Sequence, residues 1–199
     1  YSNGLYVAVG EKGTILTSPD GSTWKMKNSS TTYDLYSVTY SDSQFVAVGA
    51  GGTILTSSNG ATWSNIPSKT TSSLQSIKSI TYSNGMFVAV GGDNPTLMQP
   101  GYLLYQALIL ESSDATNWEG IPSGITIPNP GYIAFVTYGN GQFVAVGGGC
   151  IITSSDGATW TKNVDTSYSL LSVTYGNGQF VAVGGGGIIT NLFGRDQGI

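Results

Sequence analysis

The stretch QFVAVGGGCIITSSDGATW, residues 142–160, decides the fold. It holds one apolar run, Phe143 to Val146, then glycines, then a second run from Cys150 to Ile152. A polar Ser-Ser-Asp-Gly follows, and a tryptophan, Trp160, closes it. Short apolar runs divided by Gly and Asp-Gly read as strands joined by turns, because these residues tolerate the positive φ that tight turns need. Both halves of the stretch recur. The polar half returns as SPDGSTW at 18–24, SSNGATW at 57–63 and SSDATNW at 112–118. The apolar half returns as LYVAVG at 5–10, QFVAVG at 44–49 and 179–184, and MFVAVG at 86–91.

The glycine that ends each apolar copy falls at 10, 49, 91, 147 and 184, so the spacings are 39, 42, 56 and 37 residues. A period of about 40 residues with strand-like content points to a propeller of four-stranded blades. Each repeat parses into four strands. Strand A alternates, as in LYSVTY from Leu35, IKSITY from Ile77, YIAFVTY from Tyr132 and LLSVTY from Leu170. Alternation buries one face. Asn-Gly then turns the chain at 3–4, 84–85, 140–141 and 177–178, with Asp42-Ser43 the departure. Strand B is the VAVG run, and strand C is TILTS or IITSS. The spacing predicts a tight two-residue C-to-D turn at Asp-Gly, with strand D opening on the tryptophan. The repeats run over about 1–28, 35–67, 76–121, 132–164 and 170–190, with an insertion at about 93–106, all in one domain.

Composition narrows the function. Charged residues are 9% of the 199, against roughly 25% in a typical soluble domain. Hydrophobic residues are 40%, enough for a core. The net charge is −4 and the few basic residues form no patch, which argues against nucleic-acid binding. The apolar run YLLYQALIL, residues 102–110, is too short to span a bilayer. It reads as a packed segment, or alternatively as a contact for a membrane surface or partner. Histidine is absent, which removes imidazole metal ligands and histidine-based triads. Cys150 stands alone, so no internal disulfide forms, and no basic neighbour activates it. The runs VGGGC and VGGGG lack the lysine and helix of a phosphate loop and read as B-to-C turns. No cofactor or metal site is expected.

These motifs resemble the Asp-box β-propellers, the repeat named after bacterial sialidases. They look closest to the photosystem II assembly propellers and repeat-rich bacterial surface proteins. The resemblance covers nearly the whole chain and is specific to fold. It departs in spacing, since the box here is one residue shorter than S-x-D-x-G-x-x-W. The resemblance implies a structural role at the blade periphery for Ser18, Asp20, Trp24, Asn59, Trp63, Asp114, Trp118, Asp156 and Trp160. A sialidase holds its substrate carboxylate with an arginine cluster, and this chain has only Arg195. A glycosidase needs two facing carboxyl groups. Asp20, Asp114 and Asp156 are placed in turns, while Asp34, Asp93 and Asp165 fall in predicted loops that leave a pair open; the expectation is a chain without a catalytic centre.

In such a propeller the A-to-B and C-to-D hairpins share one face, and the D-to-A and B-to-C connections share the other. Variable loops on a rigid scaffold are where binding is placed. The second face carries NSSTTYD from Asn28, PSKTTSSLQS from Pro67, IPSGITIPNPG from Ile121, VDTSY from Val164 and the insertion. Tyr33, Tyr102, Tyr105, Tyr132 and Tyr168 are therefore the candidate ligand-binding residues. Aromatic faces among Ser, Thr and Asn suit a neutral glycan or a wet protein interface. The sequence reading is an all-β propeller of about five repeats with incomplete terminal blades, acting outside the cell as a recognition or scaffold module. The alternatives are a structural protein that self-associates through open blade edges, and a glycan-active enzyme.

Overall fold

The computed structural model describes residues 1–67, 75–93, 104–128, 132–185 and 187–190. Among these the chain is built from β-strands, without an α-helix. Strands β1 (Tyr6–Val9), β2 (Ile15–Ser18) and β3 (Lys25–Lys27) form a three-stranded antiparallel sheet, blade 1. Blade 2 is complete: β4 (Leu35–Ser41), β5 (Gln44–Gly49), β6 (Ile54–Ser57) and β7 (Ser64–Asn65), in that order. Blade 3 runs β8 (Gln75–Ser83), β9 (Met86–Asp93), β10 (Leu104–Ser112), β11 (Glu119–Gly120). An added strand, β12 (Thr126–Pro128), also pairs β10.

The last sheet joins two repeats. It runs β13 (Ile133–Gly139), β14 (Gln142–Ser154), β15 (Thr161–Gly176), β16 (Gln179–Gly184), β17 (Gly187–Thr190). β14 carries the B and C runs of blade 4 in one strand, with Gly149 at φ 73 between them. β15 pairs β14 through Thr161 to Asp165 and pairs β16 through Leu170 to Gly176. The expected loop VDTSY is thus part of a strand. The pair Gly148↔Ser169 carries the ladder across it.

The A-to-B turns follow their residues. Asn3-Gly4, Asn84-Gly85, Asn140-Gly141 and Asn177-Gly178 all have positive φ at both positions, the conformation of a hairpin turn matched to strand twist. Asp42 and Ser43 adopt it too, at φ 49 and 65, without a glycine. The terminal glycine of VAVG has a different cause. A Cβ on Gly49 would lie 2.0 Å from the Asp34 carbonyl oxygen, and one on Gly91 would lie 1.9 Å from that of Ser76. Strand B passes too close to the start of strand A for any side chain.

Alternation along strand B organises the core. Phe45 and Ala47 pack with Ile15, Val7 and Val9 of blade 1, while Val46 and Val48 pack with Phe87 and Ala89 of blade 3. Val88 and Val90 meet Phe143 and Ala145 of blade 4. Val144 and Val146 meet Phe180 and Ala182 of blade 5. At each of these four junctions, therefore, the earlier blade gives two valines and the later one an aromatic with an alanine. This stacking brings the A strands β4, β8, β13 and the end of β15 side by side. Ser37 Oγ accepts the Ile80 N–H at 3.3 Å, and Ser79 Oγ accepts the Val136 N–H at 3.3 Å.

Candidate functional site

The C-to-D connections are larger than two residues. In blade 1 strand C ends at Ser18 and strand D starts at Lys25, one residue after the tryptophan. Only Gly21 has positive φ, so Asp20-Gly21 is not the hairpin turn its sequence suggests. The loop is closed by side chains. Ser18 Oγ accepts the Gly21 N–H at 2.8 Å, Asp20 Oδ1 accepts the N–H groups of Thr23 at 2.7 Å and Ser22 at 2.8 Å, and Trp24 Nε1 donates to the Gly21 carbonyl at 3.1 Å. Ser57, Asn59 and Trp63 repeat this geometry, as do Ser154, Asp156 and Trp160. In blade 3 Asp114 accepts from Asn117 and Thr116, Trp118 donates to the Ala115 carbonyl, and Ala115 takes φ 61 in place of glycine. Backbone N–H groups favour the carboxylate anion. The bond from Thr23, then that from Ser22, holds Asp20 down at about 2. Asp114 and Asp156 are lowered in the same way, first by the N–H groups of Asn117 and Thr159. These carboxylates are engaged in loop closure.

A groove lies on the opposite side, where the D-to-A loop of blade 1 meets blade 2. It has a volume of about 650 Å³ and is lined by Asn28, Thr31, Tyr33, Gly51, Thr53 and Asn65 among others. Among the described residues no charged side chain lines it. Two turns shape it. Asn28 Oδ1 accepts the Ser30 N–H at 2.9 Å, and Thr31 Oγ1 accepts the Tyr33 N–H at 3.1 Å. Tyr33 is 52% exposed. Its ring lies against Gly51, where a Cβ would come within 3.0 Å of a ring carbon, and Gly51 sits at φ 63. Glycine thus serves as the floor beneath an exposed aromatic ring. The walls offer hydroxyls, carboxamides and backbone groups, a donor and acceptor set suited to neutral polyols.

A second cluster lines the inner strands. Each A strand slips register by one residue, at Tyr36, Lys78, Ala134 and Leu171. Such a bulge re-aims a side chain. Lys78 Nζ lies 4.1 Å from the centre of the Tyr36 ring and 5.6 Å from that of Tyr132, a cation–π arrangement. Burial lowers the Lys78 pKa, with Asp34 acting against it. Neither Tyr36 nor Lys78 was singled out by the sequence; the break of alternation at the polar Lys78 in IKSITY is the signal that marks the bulge.

Of the five candidate tyrosines, the three with described side chains do not converge. Tyr33 lines the groove, Tyr132 faces Lys78, and Tyr168 is 52% exposed within β15. No hydrogen bond or ring contact joins these three. Tyr105 is placed by its backbone pairing with Ile127. Tyr102 lies outside the described residues, as do most of the insertion, Arg195 and the rest of the C-terminal segment. YLLYQALIL contributes β10, the C strand of blade 3, where Ile109 and Leu110 are buried. No described helix is long and apolar enough to cross a membrane.

One carboxylate pair stands outside the loop closures. Glu111 and Glu119 are opposite each other across β10 and β11, beside a groove of about 250 Å³. Burial raises the Glu111 pKa, with Glu119 and Asp156 adding to it, and its Oε2 is buried without a hydrogen-bond partner. Cys150 is fully buried and its thiol pKa is raised, first by that burial. Among the described residues no cluster could hold a metal ion.

No family model matches the chain, and no curated protein matches its sequence. Solved structures do match in fold. YjhT superposes with a TM-score of 0.62 at 11% identity, covering 96% of this chain and 78% of that one. The WD40 β-propeller domain of Doa1 gives 0.58 at 10% identity, over 92% of this chain and 58% of that one. The Bombyx mori GH32 beta-fructofuranosidase BmSUC1 gives 0.53 at 9% identity, over 92% and 53%. This chain thus spans little more than half of the last two. At these identities the likeness establishes fold: an all-β propeller of antiparallel blades. It also corrects one expectation. A chain without a catalytic centre does not follow from this architecture, because a glycoside hydrolase shares it. The physical reason is that the repeated strands specify the scaffold alone, and chemistry belongs to individual side chains grafted on it. Glu111 and Glu119 show that carboxylates can be paired outside the turns.

Proposed function

We propose that the chain is a recognition propeller that binds a neutral glycan at the groove between blades 1 and 2. The observation that carries this reading is the exposed Tyr33 ring resting on Gly51 in a groove whose described lining is hydroxyls, amides and backbone. A sugar ring would stack on Tyr33, and its hydroxyls would exchange hydrogen bonds with Thr31, Asn28 and Asn65. Groove volumes of this size accept ligands of small-molecule dimensions. The Ser-Asp-Trp loops support kinship with the Asp-box propellers. The low charge supports a place outside the cell, at the cell surface or secreted.

A protein partner is the second reading, favoured by the exposed Tyr33 ring among polar side chains. A glycan-array screen of the whole chain tests the first. Binding is expected for the native chain and lost by at least tenfold in Tyr33→Ala and in Gly51→Ala, which would push the ring off its floor. A folded native chain that binds no glycan would sink the glycan reading and leave the protein one.

A further inference from the structure

Lys78 is a half-buried ammonium in β8, the inner strand of blade 3. An ammonium carries three donors, and burying it is costly unless acceptors replace the water it loses. Among the described residues no oxygen accepts a hydrogen bond from Lys78 Nζ, and no carboxylate pairs with it. Its neighbours are ring faces instead, Tyr36 at 4.1 Å and Tyr132 at 5.6 Å from Nζ to the ring centres. A ring face attracts a cation but gives it no lone pair, so the donors of Lys78 are unused by the protein. Asp34 favours the charged form of Lys78 from a distance, while its Oδ1 accepts the Lys12 N–H at 2.8 Å.

The backbone produces this placement. Strand A slips register by one residue in blades 2 to 5, at Tyr36, Lys78, Ala134 and Leu171. The residue before each slip, Leu35, Ile77, Ile133 or Leu170, is buried in a junction. The bulged residue escapes that packing, and Tyr36 and Leu171 are accordingly 43% and 56% exposed. The inner strands β4, β8 and β13 lie side by side, so Tyr36, Lys78 and Tyr132 from three successive blades meet on one surface. Burial and the Asp34 charge hold the Tyr36 phenol above its ordinary pKa, so its hydroxyl stays protonated beside the ammonium.

We propose that Tyr36, Lys78 and Tyr132 form a binding site for an organic carboxylate whose attached group is apolar or aromatic. The carboxylate would accept from the unused Lys78 donors as charge-assisted hydrogen bonds. The attached group would lie against the exposed part of Tyr36. A single ammonium balances a single negative charge, and Asp34 nearby disfavours a dianion such as phosphate. None of the three residues lines the Tyr33 groove, so the site does not depend on the glycan reading.

Benzoate is the probe, with benzamide as its uncharged counterpart, followed by the side-chain carbon signals of the intact chain labelled at lysine. The Lys78 signal is assigned by its loss in Lys78→Gln. Benzoate should shift it saturably and leave the other lysines unmoved, and benzamide should not shift it. Tyr36→Leu should weaken benzoate binding by roughly tenfold or more, whereas Tyr33→Ala should bind benzoate as the native chain does. Both Lys78 and Tyr36 are partly exposed, and circular dichroism would confirm that their variants fold; the benzoate and benzamide titrations of the native chain decide the question without them. A Lys78 signal that ignores benzoate, that moves equally with benzamide, or that shifts only along with every other lysine would overturn the proposal, as would tighter binding of inorganic phosphate.

Discussion

Ser43 has a β-carbon in a conformation that favours glycine. The other four A-to-B turns place glycine at this position, at φ between 72 and 78, and Ser43 sits at φ 65. Left-handed backbone costs an L-residue about 1–2 kcal/mol. Ser43→Gly should stabilise the chain by about 1 kcal/mol, measured by urea denaturation, while Asp42 keeps its bond from the Tyr82 hydroxyl at 2.5 Å. The tryptophans offer the reverse case. Trp63 is 4% exposed and Trp24 is 41% exposed, although both close the same loop. Trp63→Ala should destabilise by about 3–5 kcal/mol as a buried aromatic lost from the core, and Trp24→Ala by clearly less. Equal losses would show that the indole hydrogen bond, not burial, dominates. Glu111 is a third residue with a defined sign. Burial and neighbouring carboxylates raise its pKa, so its ionisation opposes folding as pH rises past the usual glutamate range. Glu111→Gln should raise the melting temperature at neutral pH and change little in acid.

At the scale of the element, the four C-to-D loops contain their own control. Three are closed by a carboxylate, from Asp20, Asp114 and Asp156, and one by the carboxamide of Asn59. In the folded chain the three acids ionise below their ordinary value, because backbone N–H groups solvate the anion. Their contribution is complete above the unfolded value of about 4 and falls away as pH drops toward 2. Stability should therefore decline through that window. Asp156→Asn, which copies blade 2, should flatten the decline without unfolding the chain; an unchanged pH profile in the triple Asn variant would refute the account. These loops also show where the sequence stops being readable. The recurring Ser, Asp and Trp mark a loop at the correct place. Asp-Gly alone implied a two-residue turn, since nothing local reports that Ser18 and Asp20 side chains would each cap two backbone N–H groups and hold a wider one open. Blade 4 differs for a similar reason. The pairing of Gly148 with Ser169 is a long-range contact, and it converts an expected loop into strand.

For the whole molecule, cohesion comes from stacked apolar faces. Lys162 and Asp165 make the one ion pair among the described residues. Exposed pairs contribute about 0–1 kcal/mol and are screened by salt. The melting temperature should accordingly stay nearly constant as sodium chloride is raised, and climb in sulfate, which strengthens apolar burial. A marked fall in sodium chloride would point to charge interactions that this packing does not contain. The blade order and the strand B core were legible because the period repeats the same residues in the same phase. The groove was legible only in part. Tyr33 stood out as an aromatic in a polar loop, but its floor at Gly51 and its wall at Asn65 come from the next repeat. The Tyr36–Lys78–Tyr132 stack was hidden, because three bulged or edge positions meet only after the blades are stacked.

The two-sided strand B has an evolutionary corollary. Each repeat carries a valine side and an aromatic–alanine side, always in the same order along the chain. Unequal recombination that copies or removes one whole repeat would join a valine side to an aromatic–alanine side at the new seam, as before. The gene can therefore lengthen or shorten by complete repeats without creating a mismatched contact, whereas a break at any other phase would bury two like surfaces against each other.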